Sequence, residues 1–289
     1  MKDKELLKKE DVLSEISMVC ANYGNHENLK EVLLDWFEFL GGKPGEVIIM
    51  DAGSNTNTRK VYLELLEQGL IDTLSLNRED HPEKGKEFAY IREYHVANLS
   101  RKKYLLFSKF DTLPYQKNNN NWLTEAISFL DKNEVFAFGG SSNYKAKHHE
   151  AWNGYYFSER LSENFALIKR DIHTKAMREY ASDFIDSGFR KYNPDPNQRR
   201  TVEIAWEKYM QNHQVYTLMK EETENWTVFH TNINGENLKE VRKKYKDRID
   251  IKKYLNAGLY AERENKWFYG QKTDFKKKIK LIIKKVINI

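Results

Sequence analysis

Only one cysteine stands in 289 residues. Cys20 alone excludes an internal disulfide framework, and a chain so sparing of thiols fits a reducing compartment. It falls in the apolar run from Ile16 to Ala21, where a small buried side chain is expected rather than a reactive thiol. Long hydrophobic runs are also missing. None approaches the roughly 18 apolar residues of a membrane span. The opening "MKDKELLKKEDVLSE" lacks the continuous apolar segment of a signal peptide. The expectation is a cytoplasmic protein. Nor does charge of one sign dominate: 48 Lys and Arg face 43 Asp and Glu, a net +5. Much of that excess sits near the C-terminal end, so no basic recognition face is expected and no nucleic-acid partner. No internal repeat stands out.

What is present suits a large soluble α/β protein. Hydrophobic residues at 40% supply a core and charged residues at 31% a solvated surface. Aromatics reach 13%, which serves stacking on polar ligands and core packing alike.

Along the chain, "ISMVCANYGN" reads as a buried strand that exits into a loop at Asn22 and Gly24. "HENLKEVLLDWFEFL" places Leu29, Val32, Leu33, Trp36, Phe37 and Leu40 at the spacing of an amphipathic helix, and "GGKPG" ends it. "EVIIMD" is a second buried strand. "AGSNTNT" is a loop with helix-capping residues, followed by the helix "RKVYLELLEQGLI" and a third strand "DTLSLN". "EFAYIREYHVANLS" predicts another helix and "YLLFS" a fourth strand. "WLTEAISFL" and "VFAFGGS" read as helix and strand, "TVEIAWEKYMQNH" as a helix, and "QVYTLM" and "WTVFHTN" as extended segments. Between about 144 and 200 the pattern is mixed. This strand-helix alternation predicts a parallel sheet with crossover helices, whose ligands bind beyond the carboxyl ends of the strands. Asn22, Asp51 and Asp111 each close such a run.

The combination "VCANYGNHENL", "VIIMDAGSN" and "LLFSKFDTLP" resembles the nucleotide-sugar-dependent glycosyltransferases of the GT-A fold, most of all glycosyltransferase family 2. The resemblance runs from about residue 16 to 140. It implies a Rossmann-like, mostly parallel central sheet flanked by helices, with residues 1–235 as the GT-A domain and 236–289 as a basic helical extension. It also implies a nucleotide-sugar donor of UDP, GDP or dTDP type beside Ala21, Asn22, Tyr23, Asp51, Gly53 and Ser54. Asp51 would face the base, Lys84 and Arg92 would stand against the diphosphate, and Lys109 and Phe110 would be further donor contacts. Asp111 would hold Mn²⁺ or Mg²⁺, with His230 as a second ligand. The general base of an inverting enzyme would be Glu203 or Asp183, with Asp186 also in competition. The implied acceptor is a glycan or lipid-linked glycan in surface polysaccharide or glycoconjugate synthesis.

A hard divalent ion suits the chemistry, because breaking a sugar–diphosphate bond loads charge onto the leaving group. One departure matters: Lys109-Phe110-Asp111 stands where the family has Asp-x-Asp. Lys109 either touches phosphate directly or is a surface residue, with Asp111 opening a turn before Pro114. The related nucleotidyltransferases are a rival, but "ANYGNHENL" lacks their Gly-rich basic loop. A degenerate GT-A domain that binds glycans or scaffolds a complex is another, and Lys109 is its best support. Trp152 and Tyr155 are candidates to stack on acceptor sugars. The tail "DFKKKIKLIIKKVINI" partly segregates six lysines from its apolar residues, the pattern of a segment that lies on an anionic membrane surface or packs on protein.

Overall fold

The computed structural model describes residues 9–76, 94, 97–118, 121–140, 148–152, 154–186, 202–231, 233, 235–249, 267–268 and 271–272. The chain opens with α1 (Lys9–Ser14), β1 (Ile16–Asn22), α2 (Leu29–Leu40), β2 (Glu46–Asp51), α3 (Thr56–Glu67) and β3 (Thr73–Leu76). Then come β4 (Tyr104–Ser108), β5 (Thr112–Gln116), α4 (Trp122–Leu130), β6 (Val135–Gly140), β7 (His148–Trp152), β8 (Tyr155–Ser158) and β9 (Phe165–Lys169). It continues with α5 (Arg170–Asp186), α6 (Val202–His213), β10 (Tyr216–Lys220), β11 (Trp226–His230), α7 (Glu236–Lys246), β12 (Trp267–Phe268) and β13 (Gln271–Lys272).

Among the described residues nine strands form one sheet in the order β3-β2-β1-β4-β9-β6-β10-β8-β7. β9 and β8 run against their neighbours and the other strands share one direction. The sheet is therefore mostly parallel in direction, as expected. Strands β1, β2, β4, β6 and β9 read as nearly unbroken apolar runs because both their faces are covered. Alternate residues serve the two faces: Met18, Ile49 and Leu106 join one core, while Val19, Ile48 and Phe107 join the other. The first core takes α1, α2, α3, α4 and α7, and the second takes α5 and α6. Against β10 the register of β6 shifts by one residue around Phe136, so Phe136 and Ala137 both serve the second core.

Helices α2, α3, α4 and α6 form where the sequence predicts them, α5 arises in the region read as mixed, and the helix expected over "EFAYIREYHVANLS" lies largely outside the described residues. Leu29, Val32, Leu33, Trp36, Phe37 and Leu40 of α2 are all buried. Gly41 ends that helix in the left-handed conformation, its N–H donating to the carbonyls of Phe37 and Glu38. Asn55 caps α3 by accepting from the Thr58 amide at 3.0 Å.

Three differences from the sequence reading shape the site. The segment after Asp111 is a strand, not a turn: β5 pairs antiparallel with β11, with Pro114 opposite Val228 and Thr112 opposite His230. Proline is tolerated because, among the described residues, this ribbon is two strands wide. The mixed region yields β9, which lies in the middle of the sheet between β4 and β6. And α7, beyond residue 235, packs on the first core through Leu238 and Tyr245. Arg242 and Lys246 of α7 grip the buried Asp35 of α2, with Arg242 Nη2 at 2.8 Å and Lys246 Nζ at 2.6 Å. Further on, β12 and β13 form a short antiparallel pair. The tail 274–289 lies outside the described residues. No helix among the described residues is long and apolar enough to cross a membrane.

Candidate functional site

The carboxyl ends of β1, β2 and β4 lie along one edge of the sheet, with Asn22 opposite Asp51 and Cys20 opposite Ser108. The loop after β1 bridges the edge. Asn25, at a left-handed φ of 56°, donates from Nδ2 to the Phe110 carbonyl at 3.2 Å. Asn28 donates to the Gly235 carbonyl at 2.8 Å.

On the β1/β2 side, polar groups satisfy one another. Asp51 is fully buried. It accepts from the amides of Gly53 at 3.2 Å and Ser54 at 3.0 Å, and from the Tyr62 hydroxyl at 3.1 Å. Arg59 Nε lies 3.7 Å away. Asn22 Nδ2 donates to Tyr62 at 2.6 Å and to the Gly24 carbonyl at 2.8 Å. Ser54 Oγ accepts from the Gly24 amide at 2.9 Å. Burial, helped by the nearby Asp51 charge, pushes the Tyr62 phenol well above its ordinary value, so it stays a neutral donor and acceptor. Tyr23, by contrast, is half exposed at the rim. Ala21 and Gly53 are partly exposed.

The β4 side is charged. Asp111 Oδ2 lies 3.1 Å from His230 Nε2, brought there by the pairing of Thr112 with His230. Thr231 clamps the turn, donating its amide and its hydroxyl to the Asp111 carbonyl at 2.8 Å each. Burial alone would raise the Asp111 carboxyl. The His230 hydrogen bond and charge, together with the Lys109 charge, outweigh it and hold the group below the usual carboxylate range. The third member is the tripeptide Ser162-Glu163-Asn164, which enters β9. Asn164 Nδ2 lies 2.9 Å from His230 Nδ1. Glu163 Oε2 lies 3.5 Å from Lys109 Nζ. The Glu163 amide donates to Glu203 Oε1, near the start of α6, at 3.0 Å.

The residues expected from sequence are thus partly gathered. Asp111, His230, Lys109 and Glu203 meet around the tripeptide, and Asn22, Asp51 and Ser54 share the Tyr62 network. The Phe110 ring is buried in the core, leaving its carbonyl to the Asn25 contact. Tyr155 is buried between Glu125, whose carboxylate accepts its hydroxyl at 2.6 Å, and Lys220 Nζ at 3.1 Å. Asp186 ends α5 exposed. Lys84 and Arg92, and the side chains of Asp183 and Trp152, lie outside the described residues. Glu163, Asn164 and Tyr62 were missed. The signal for the first two was a polar triplet set directly before the apolar run "FALI".

The donor set fits a divalent ion. One carboxylate oxygen and one imidazole nitrogen suit an ion of the Mn²⁺ or Mg²⁺ class that keeps waters and takes phosphate oxygens for its other positions. Among the described residues no cluster of three or more His, Cys, Asp or Glu gathers, so the pair would share the ion with ligand oxygens. An orphan atom points the same way. The Oδ1 of the buried Asn164 has no hydrogen-bond partner. With its amide turned over, Asn164 would accept Nδ1–H from His230 and leave the Nε2 lone pair for a cation.

No family model matches this chain, and no curated protein does. Among the solved structures similar in fold are two crystallised with Mn²⁺. One is GalNAc-T7, crystallised with UDP, GalNAc and Mn²⁺, at 13% identity and TM-score 0.49 over 79% of this chain. The other is the mannosyltransferase PcManGT from Pyrobaculum calidifontis, crystallised with GDP-Man and Mn²⁺, at 12% identity and TM-score 0.44 over 88% of this chain. The chain spans 44% of the length of the first and 71% of the second.

Proposed function

We propose that the protein is a GT-A-type glycosyltransferase that moves a sugar from a nucleoside-diphosphate donor to a hydroxyl acceptor. The observation that carries this is the Asp111–His230 pair, 3.1 Å apart, at the sheet edge where β1 and β2 end. Open α/β sheets bind ligands at that edge, and the pair offers a donor set for a divalent ion there. The resemblance of the three strand ends to family 2 supports the same reading.

Asp111 and His230 hold the ion, and Asn164 sets the ring orientation and tautomer of His230. The ion supplies Lewis-acid neutralisation of the departing diphosphate. Lys109 adds a fixed positive charge on the phosphate side. Ala21, Asn22, Gly53 and Ser54 form the wall for the nucleoside, with Tyr23 as a ring to stack on the base. Asp51 fixes that wall through the Gly53 and Ser54 amides, and its contact with the base would require part of the Tyr62 network to open. Transfer proceeds with inversion. Glu203 is the candidate base, standing one hydrogen bond from Glu163, with Asp183 as the competitor. The acceptor is a glycan or lipid-linked glycan, met at the cytoplasmic membrane face with 274–289 as the membrane contact.

A scaffold reading rests on Lys109, which removes one carboxylate from the expected motif. Donor hydrolysis separates the two. UDP-, GDP- and dTDP-sugars are incubated with Mn²⁺ and the released nucleoside diphosphate is measured. An enzyme releases it from one donor class and loses that activity on Asp111→Asn. A scaffold releases none.

A further inference from the structure

We infer that Glu163 is the counter-ion that draws the Lys109 ammonium away from Asp111 and so keeps the Asp111–His230 pair open to a divalent cation. The inference rests on the metal reading above and assigns a positioning role within it. The motif creates a problem of its own. A lysine two positions ahead of a metal-binding carboxylate can satisfy that carboxylate itself, occupying its oxygens and repelling a second cation.

Glu163 answers it by geometry. Its side chain is only 1% exposed, and its Oε2 sits 3.5 Å from Lys109 Nζ. A carboxylate that deep needs a positive partner. Its backbone is fixed on both sides, by the hydrogen bond its amide donates to the Glu203 carboxylate and by Asn164, whose side chain holds His230. One tripeptide therefore orients one metal ligand and removes the competitor of the other. Lys109 keeps its charge near the phosphates without closing the cation site.

The test is Mn²⁺ binding by the full chain without nucleotide, read as loss of the free Mn²⁺ signal in electron paramagnetic resonance. The proteins are the unaltered one, Glu163→Gln, Lys109→Met, and the double variant. Glu163→Gln is expected to weaken Mn²⁺ binding by on the order of tenfold or more. Lys109→Met is expected to bind at least as tightly as the unaltered protein. The double variant is expected to recover that affinity, which damage to the fold would not allow. Unchanged binding in Glu163→Gln, or a double variant as weak as Glu163→Gln, overturns the role of Glu163 and leaves the metal reading standing. Failure of the unaltered protein to bind Mn²⁺ both alone and with UDP, GDP or dTDP added overturns both.

Discussion

The two halves of the candidate site are built on opposite principles. Around β1 and β2, Asn22, Asp51, Ser54 and Tyr62 give their hydrogen bonds to one another and to the loop backbone. Around β4 and β11, titratable groups meet in pairs, Asp111 with His230 and Lys109 with Glu163. The first half is a finished scaffold whose shape is fixed before any ligand arrives. The second concentrates charge that a cation and a phosphate would complete. Changes in the first should therefore cost stability, and changes in the second should cost binding.

The largest effect should come from the scaffold. Asp51→Ala strips acceptors from two amides and a hydroxyl in a fully buried place. The expected cost is about 3 kcal/mol of unfolding free energy, measured by urea denaturation. A loss under about 0.5 kcal/mol, the usual range for an exposed substitution, would break the comparison. On the charged half, Asn164→Ala removes the partner of His230 Nδ1. It should weaken Mn²⁺ binding by about 10- to 100-fold while unfolding stability falls by no more than about 1–2 kcal/mol. The reverse pattern, intact binding with a large loss of stability, would make Asn164 a scaffold residue.

A group outside both halves sharpens the contrast. His173 of α5 is buried against Phe107 and Trp206 and accepts from Trp206 Nε1 at 3.0 Å. Burial drives its pKa down from 6.5 to about 3, so the folded protein keeps it neutral where the unfolded chain takes up a proton. Its contribution to stability is complete above about pH 6.5 and is lost as pH falls toward about 3, at up to about 1.4 kcal/mol per pH unit. Urea midpoints taken between pH 6.5 and 5 should fall more steeply in the unaltered protein than in His173→Gln. Equal slopes would mean that His173 does not titrate on unfolding in that window.

Much of the architecture was legible because burial writes itself into period and run length. The β1, β2 and β4 runs and the spacing of α2 and α3 needed no tertiary knowledge. Asp111 and His230 were legible as polar ends of apolar runs, although their meeting depends on β5, which reads as a turn because of Pro114. What was not legible depends on distant pairing. "FALIK" gives no local sign that it lies antiparallel at the centre of the sheet, and only that placement brings Glu163 and Asn164 beside Lys109 and His230. Asp51 reads by chemical type as a ligand group, while its depth and its bonds to the Gly53 and Ser54 amides, which anchor the loop, show only in the folded chain.

The measurement that bears most directly on the central claim is calorimetric titration of UDP, GDP and dTDP, each with and without Mn²⁺, into the unaltered protein and Asp111→Ala. The account predicts that one nucleotide binds with Mn²⁺, binds far more weakly without it, and loses the Mn²⁺ dependence in the variant. A nucleotide that binds equally with and without Mn²⁺, or no binding under any condition, would contradict it.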